Sequence, residues 1–402
     1  MAETKLRPSS AGKWSVCPGS VEAERGCREG DTTAADTGTV AHWIAAKILR
    51  QEQLPEYGSK FVVVNEKVEP ALVEEDLPVI TFDLDMYDHV TTYTDFVRSD
   101  IVLCVEEEVV ISWVTGEEGA TGTPDAVTTQ TGNNVTVHDL KFGFNPVSAQ
   151  DNPQLAIYAA GVLASGVIDI LNVETVSLMI HQPRIGERDE CTYTLEAFTK
   201  LVNHLKVRAN NTRTMPGHRV AGEHCAKYSC KAQATCPVLA KLVEDTVNDP
   251  LNPLPDLVAS DLSTKLPYLK TIRKWCDALE AEADHLALVQ GVKIPGYKTV
   301  EGKAGKREWV NKEDAEAKLK AMRIKHDQMY VYSVVSPTQA EKLYKDSVIG
   351  KRQWPKLKEL ITRKASKNVL VPESDKRPAI DVIPDVDELP DLADNFNDLT
   401  GE

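Results

Sequence analysis

The chain has 402 residues, 42% hydrophobic and 27% charged, with a formal net charge of −15. That length suggests two or three domains of ordinary soluble composition. No run of about 20 apolar residues is present, which argues against a membrane-spanning helix, and the opening MAETKLRPSS has no apolar signal-peptide core, so a cytoplasmic location without a membrane partner is expected.

A first helix is predicted over 9–26, capped by Ser9 or Ser10, and a second over 36–50, capped by Thr37, with a polar break at Gly30–Thr33. Residues 60–80 follow no single period, and the second half of 81–100 has helical spacing. Strands are predicted at about 103–114, 120–129 and 135–141, the first two joined by a Gly-Glu-Glu-Gly turn and the last two by Thr-Gly-Asn-Asn. A helix over about 150–164, a strand over 173–183 and a helix over 194–210 complete the pattern. The order predicts an α/β core, a mixed sheet flanked by helices, over 1–245. Beyond the proline-punctuated NPLPDLV lies an accessory region over 246–372, with a helix or helical hairpin at 257–290 and a mixed α/β unit at 307–370. Residues 373–402 carry ten acids against Lys376 and Arg377 and are expected to be a disordered acidic tail.

Asp125 stands near the end of one predicted strand, and the next ends on Asp139-Leu140-Lys141. Residues i and i+2 share a strand face, so Asp139 and Lys141 point the same way. Two carboxylates beside an ammonium suit Mg²⁺ or Mn²⁺ and a phosphodiester; the alternative is a turn aspartate and a solvated strand face. Glu106, Glu107 and Glu108 read as a solvated face from which one could act as an extra acid.

Of the eight cysteines, Cys104, Cys191 and Cys276 lie in strand or helix patterns and read as packing residues. Cys225, Cys230 and Cys236 cluster in a polar stretch and need a fourth ligand to hold a metal. Cys17 is the obvious candidate, with His224 and Cys27 as substitutes. Zinc and iron–sulfur both suit thiolates.

Taken together, Gly38-Thr39-Val40-Ala41-His42, GTPDAV around Asp125, Asp139-Leu140-Lys141 and Gln154-Leu155-Ala156-Ile157-Tyr158 resemble the PD-(D/E)xK nuclease superfamily, in the RecB-type and iron–sulfur CRISPR-adaptation branch, with phage-borne relatives. The resemblance covers about residues 7–240. It implies a restriction-endonuclease-like core with Asp125, Asp139 and His42 as ligands to Mg²⁺ or Mn²⁺. Lys141 would orient the attacking water, while Gln154 and Tyr158 would position substrate. It also implies a [4Fe–4S] cluster on Cys17, Cys225, Cys230 and Cys236, stapling the two ends of the core, with Zn²⁺ as the alternative.

The expected function is therefore a metal-dependent nuclease, an exonuclease acting on DNA of single-stranded character, in a host cytoplasm if phage-encoded. The rivals are a catalytically silent DNA-binding recombination accessory protein and a zinc-stapled interaction protein. No G-x-x-x-x-G-K-[ST] loop is present, so a helicase or recombination partner would be a separate chain. The net charge gives DNA no support. Yet residues 341–368 hold nine Lys/Arg against three acids, with Tyr344 and Trp354 among them, and 296–310 is basic with Tyr297 and Trp309. Both are candidates for contact with a single strand.

Overall fold

The computed structural model describes residues 6–28, 32–71, 77–248, 259–297, 343–345 and 349–358. The chain divides into two compact units, Met1–Glu301 and Gly302–Glu402.

The first unit opens on two one-turn helices, α1 (Ala11–Trp14) and α2 (Ser20–Ala23). The single helix expected over 9–26 is broken at Cys17-Pro18-Gly19, where Pro18 has no N–H to donate and Gly19 N–H donates to the His218 carbonyl at 2.7 Å. A Cβ on Gly19 would meet that oxygen at 2.8 Å, so the close approach requires glycine. Next come α3 (Thr33–Leu49), β1 (Lys60–Val64), β2 (Lys67–Pro70), β3 (Ile80–Thr81) and α4 (Leu84–Val97). The three short strands, in the stretch without a clear period, form an antiparallel sheet in the order β2-β1-β3. Asp83 caps α4 by accepting from the Met86 N–H at 2.8 Å.

The main sheet is built from β4 (Ile101–Val105), β7 (Ala126–Thr129), β8 (Asn134–Leu140), β9 (Thr175–Gln182) and β10 (Glu187–Thr194); between β4 and β7 lie β5 (Val109–Val110), α5 (Ser112–Thr115) and β6 (Thr121–Gly122). The single strands expected over 103–114 and 120–129 are thus each cut short. Glu106 takes a left-handed φ of 48° and turns the chain out of the ladder. The strand order is β10-β9-β8-β7-β4, with β8 and β9 parallel and the other pairs antiparallel. The parallel pair requires a crossover, which α6 (Pro153–Ser165) supplies. The result is an α/β fold with a mixed sheet flanked by helices.

Side-chain alternation gives the sheet two apolar faces. Val127, Val135, Val137, Val176, Leu178 and Ile180 face a core shared with α1, α6 and α7 (Leu195–Thr214). Ala126 and Leu140 face a second core built on α3 and α4. Three further helices, α8 (Glu223–Lys227), α9 (Pro237–Asn248) and α10 (Ala259–Asp284), close the unit, with Ile272 and Trp275 of α10 packing on Cys225 and Leu239. Cys104 is buried as expected and Cys191 partly so; Cys276 is exposed, because it lies on the outer face of α10, and so is not the packing residue its helical pattern suggested. Among the described residues no helix is long and apolar enough to cross a membrane. Most of 307–370 and all of 373–402 lie outside the described residues.

Candidate metal centre and cysteine cavity

The β7–β8 register pairs Ala126 with His138, so the next position sets Asp125 opposite Asp139. Both carboxylates are buried, at 8% and 1% exposure. The Leu140 N–H donates to Asp125 Oδ2 at 2.6 Å. Lys141 follows the last residue of β8 and is anchored by its N–H to the His181 carbonyl at 2.8 Å. Its ammonium donates to Asp139 Oδ1 at 3.1 Å and to Gln154 Oε1 at 3.0 Å. Gln154, in the first turn of α6, donates in turn to Asp139 Oδ1 at 2.9 Å and to the Tyr158 hydroxyl at 3.4 Å. Residues i and i+4 of a helix share a face, which puts Gln154 and Tyr158 on the side of α6 that meets the strand ends. Gly122 lets the Tyr158 ring approach, since a Cβ there would lie 2.9 Å from it.

His42 enters from α3, whose Val40, Ala41, Ile44 and Ala45 pack in the second core. Its Nε2 lies 2.7 Å from the Leu140 carbonyl and must carry the proton of that bond. Its Nδ1 lies 3.1 Å from Asp125 Oδ1 and 3.9 Å from Glu106 Oε1. Fixing one ring nitrogen on a carbonyl so that the other faces carboxylates is the usual orientation of a ligating histidine. Glu106 is held there by its φ and by Arg50, which donates to the Val105 carbonyl at 2.6 Å and the Glu106 carbonyl at 3.2 Å. The solvated face expected for 106–108 is therefore corrected at Glu106, whose side chain is 27% exposed and joins the site. Donor atoms of His42, Glu106 and Asp125 lie within 4.8 Å of one another.

The two aspartates titrate in opposite directions. Burial pushes Asp125 up, but the His42 imidazole, the Leu140 N–H and Lys141 carry it below its usual value. Burial raises Asp139, against the pull of Lys141 and with the help of Asp125. Burial would lower His42, but Asp125 dominates, with Asp139 and Glu106, and takes it up to about 9. Burial and then Asp125 push Glu106 up to about 7. Proton and ammonium thus neutralise the carboxylates where a divalent cation would do so. Asp139 Oδ2 is buried with no aligned donor, although Lys141 Nζ stands 2.9 Å away.

Tyr93 of α4 lines the same small cavity as His42, Glu106 and Asp125. Its hydroxyl is buried and has no hydrogen-bond partner among the described residues. Neither Tyr93 nor Glu106 carries a local motif. Glu106 follows from the break in strand pairing, and Tyr93 reads as one more core aromatic.

The four cysteines of the second constellation line one cavity, together with Lys13, Arg219 and His224. Cys17 comes from the turn after α1, Cys225 from α8, Cys230 from the turn beyond it, and Cys236 directly precedes α9. The Val220 N–H donates to Cys17 Sγ at 3.3 Å. Lys13 pairs with Glu24 at 2.6 Å, and Glu24 Oε1 accepts the Lys231 N–H at 2.7 Å, so the two chain ends are also tied by polar bonds. Burial raises the Cys17, Cys225 and Cys230 thiols, the last to about 12. His224 stays near Cys225 Sγ at 3.7 Å, while Cys27 bonds the Ala23 carbonyl at 3.4 Å and does not line the cavity. Among the described residues the cysteine sulfurs do not form a group of three within 4.8 Å. Thiolates on one tetrahedral zinc stand about 3.8 Å apart for Zn–S bonds of about 2.3 Å.

Of the other candidates, Tyr344 and Trp354 stack on each other at 5.1 Å and 9°, Tyr297 is 83% exposed, and Trp309 lies outside the described residues. Residues 3–378 match the family described as "Protein of unknown function (DUF2800)", and the chain belongs to that family.

Proposed function

We propose that this protein is a PD-(D/E)xK-type nuclease that hydrolyses phosphodiester bonds in DNA with Mg²⁺ or Mn²⁺. The observation that carries the reading is the meeting of His42, Asp125, Asp139 and Lys141 at one end of a mixed sheet, with Asp125 and Asp139 opposite in register. Hard oxygen donors and one imidazole fit either cation. His42, Asp125 and Glu106, whose donor atoms lie within 4.8 Å of one another, would hold the metal, with Asp139, paired with Lys141 on the neighbouring strand, as a further carboxylate. When bound, the metal lowers the pKa of water and shields phosphate charge. Lys141 offsets negative charge that develops on the phosphoryl oxygens, and Gln154 fixes both Lys141 and Asp139 in place. Tyr158 backs Gln154 and is kept protonated by burial and by Asp139.

A polynuclear iron–sulfur cluster is the reading we favour for the cysteine cavity, supported by four cysteines from both ends of the first unit lining one cavity, with zinc as the alternative on the same thiols. In this reading a [4Fe–4S] group on Cys17, Cys225, Cys230 and Cys236 joins the chain ends.

The test is cleavage of labelled single-stranded and duplex DNA by anaerobically purified protein in Mg²⁺ or Mn²⁺, beside Asp139→Ala and Lys141→Ala. Cutting by wild type alone supports the reading. Equal cutting by all three refutes it.

A further inference from the structure

The loop that leaves Lys141 does not wander. Gln182, 2% exposed, clamps it with both ends of its amide: Nε2 donates to the Asn145 carbonyl and Oε1 accepts the Val147 N–H, each at 2.8 Å. Asp189 Oδ2 accepts from Ser148 Oγ and from the Ala149 N–H, each at 2.9 Å. The Tyr193 hydroxyl accepts the Asp151 N–H at 2.7 Å and donates to Asp151 Oδ1 at 3.0 Å. This fixed loop holds one large apolar side chain in solvent: Phe144 is 62% exposed. Arg184, just past β9, lies 4.0 Å from the Phe144 ring centroid and donates to the Phe142 carbonyl at 3.3 Å. Among the described residues no carboxylate lies within salt-bridge distance of Arg184.

Phe144 and Arg184 stand beyond the C-terminal ends of the parallel strands β8 and β9, the same end that carries Asp139 and Lys141. Open α/β sheets receive ligands at that end. An exposed ring on a clamped loop, with a guanidinium against it, matches what an unpaired base and its phosphate need. The ring gives a π-face that accepts any base, and the guanidinium gives a cation. Preorganisation lowers the ordering cost of binding. A duplex hides its base faces in its own stack and offers nothing to such a ring.

We infer that Phe144 and Arg184 form a stacking platform for an unpaired nucleobase, so that the strand entering the site is single-stranded. This rests on the nuclease reading of the adjoining carboxylates. The nucleic acid is recognised by base face and backbone charge rather than by sequence.

The experiment is fluorescence anisotropy on the full chain without added divalent metal, using a labelled oligothymidine of about 20 nucleotides, a duplex of equal length and an abasic strand of equal charge. Phe144→Ala weakens binding of the single strand about tenfold, and leaves duplex and abasic strand within about twofold. Phe144→Trp restores the single strand, whereas Phe144→Leu does not, because an aliphatic group lacks the π-face. Arg184→Gln flattens the salt dependence of binding. Phe144 is exposed, so the variants are expected to keep the fold, and unchanged thermal melting checks it. The platform is overturned if Phe144→Ala or Phe144→Leu binds the single strand like wild type, if the duplex is weakened equally, or if wild type binds no strand. Metal-dependent cutting without dependence on Phe144 sinks the platform and leaves the nuclease reading. Binding that depends on Phe144 without metal-dependent cutting does the reverse.

Discussion

The carboxylate site and the cysteine cavity gather charged or ionisable groups in different ways. At the carboxylate site, both aspartates already have a protein counter-charge: His42 against Asp125, Lys141 against Asp139. Sheet register places the aspartates, and α3 and α6 bring in the remaining groups from opposite faces of the sheet. Around the cysteines, burial raises the Cys17, Cys225 and Cys230 thiols, and the lining comes from short helices and turns that share little core. In the proposed reading, one site is assembled before its ion arrives, and the other depends on its metal group for much of its order. A site held by a sheet can be tuned without endangering the fold. A site held by turns cannot.

The sharpest way to break this contrast is Cys17→Ala. Metal binding to a site that is unformed in the unfolded chain is folding free energy. The variant is expected to lose its iron and to melt roughly 10 °C or more lower, an effect of several kcal/mol in a unit of this size. Chelating the divalent ion from the carboxylate site is expected to shift melting by only a few degrees. Metal content by mass spectrometry and calorimetry on the same samples decide it. Equal shifts from both treatments would show that the two sites do not differ in this way.

Asp139→Asn is the matching change at the other site. It keeps shape and the Gln154 contact while removing the charge, so cleavage is expected to fall on the order of 10²–10³-fold. Melting is expected to fall by up to about 3 kcal/mol equivalent, because burial disfavours that charge but its removal leaves the half-buried Lys141 ammonium without its partner. A variant that unfolds instead would mean that the ion pair with Lys141 holds the sheet end together.

Legibility in the sequence followed the same division. Asp125, Asp139 and Lys141 could be read because strand parity and one turn fix them, whereas His42, Gln154 and Tyr158 were singled out only by the family resemblance. Glu106 was hidden by its own backbone: a left-handed residue ends the strand, and period-2 reading carries past it. Tyr93 was hidden because an aromatic on the inner face of α4 has the same spacing whether or not its hydroxyl does anything. The helix expected over 9–26 failed at Cys17-Pro18-Gly19, where a contact with His218, about two hundred residues away in sequence, decides the turn. The clamp on 145–151 by Gln182, Asp189 and Tyr193 is likewise long-range and leaves no local trace.

Below the carboxylates, on the α4 side of the sheet, a buried neutral pair gives a smaller effect. His138 Nδ1 lies 3.0 Å from His181 Nε2, and His138 Nε2 lies 2.9 Å from Thr128 Oγ1. Burial pulls His138 down to about 3; burial, then His138 and Arg188, pull His181 down. Tyr93 and Phe96 pack against His181 and offer it no charge. Both imidazoles are depressed below the ordinary value of about 6.5, so the unfolded chain binds more protons as pH falls. Stability is complete above about pH 6.5 and is lost below it, by roughly 2–4 kcal/mol at pH 5. His42 has the opposite sign: raised to about 9, it adds stability below about pH 6.5 that is lost as pH climbs through 9. Urea midpoints from pH 5 to 9 for wild type and His181→Phe test both limbs. An acid limb unchanged in His181→Phe would remove the pair as its cause.

Tyr93→Phe is the smallest and most discriminating change. The hydroxyl is buried beside His42, Glu106 and Asp125 and bonds to none of them. An unsatisfied buried hydroxyl costs free energy, so deleting it should leave the fold as stable or raise it by up to about 1 kcal/mol. A purely structural tyrosine would show that and nothing more. If the cavity reorganises around a cation, the hydroxyl gains an acceptor, since neutralised carboxylates no longer need the His42 proton. Mn²⁺ affinity, read by titration calorimetry without nucleic acid, should then weaken severalfold in Tyr93→Phe while melting of the metal-free chain holds or rises. Opposite movements of the two quantities would place Tyr93 in the metal site. If both stay unchanged, its role is packing, and the carboxylate site is as complete without its ion as its internal pairing suggests.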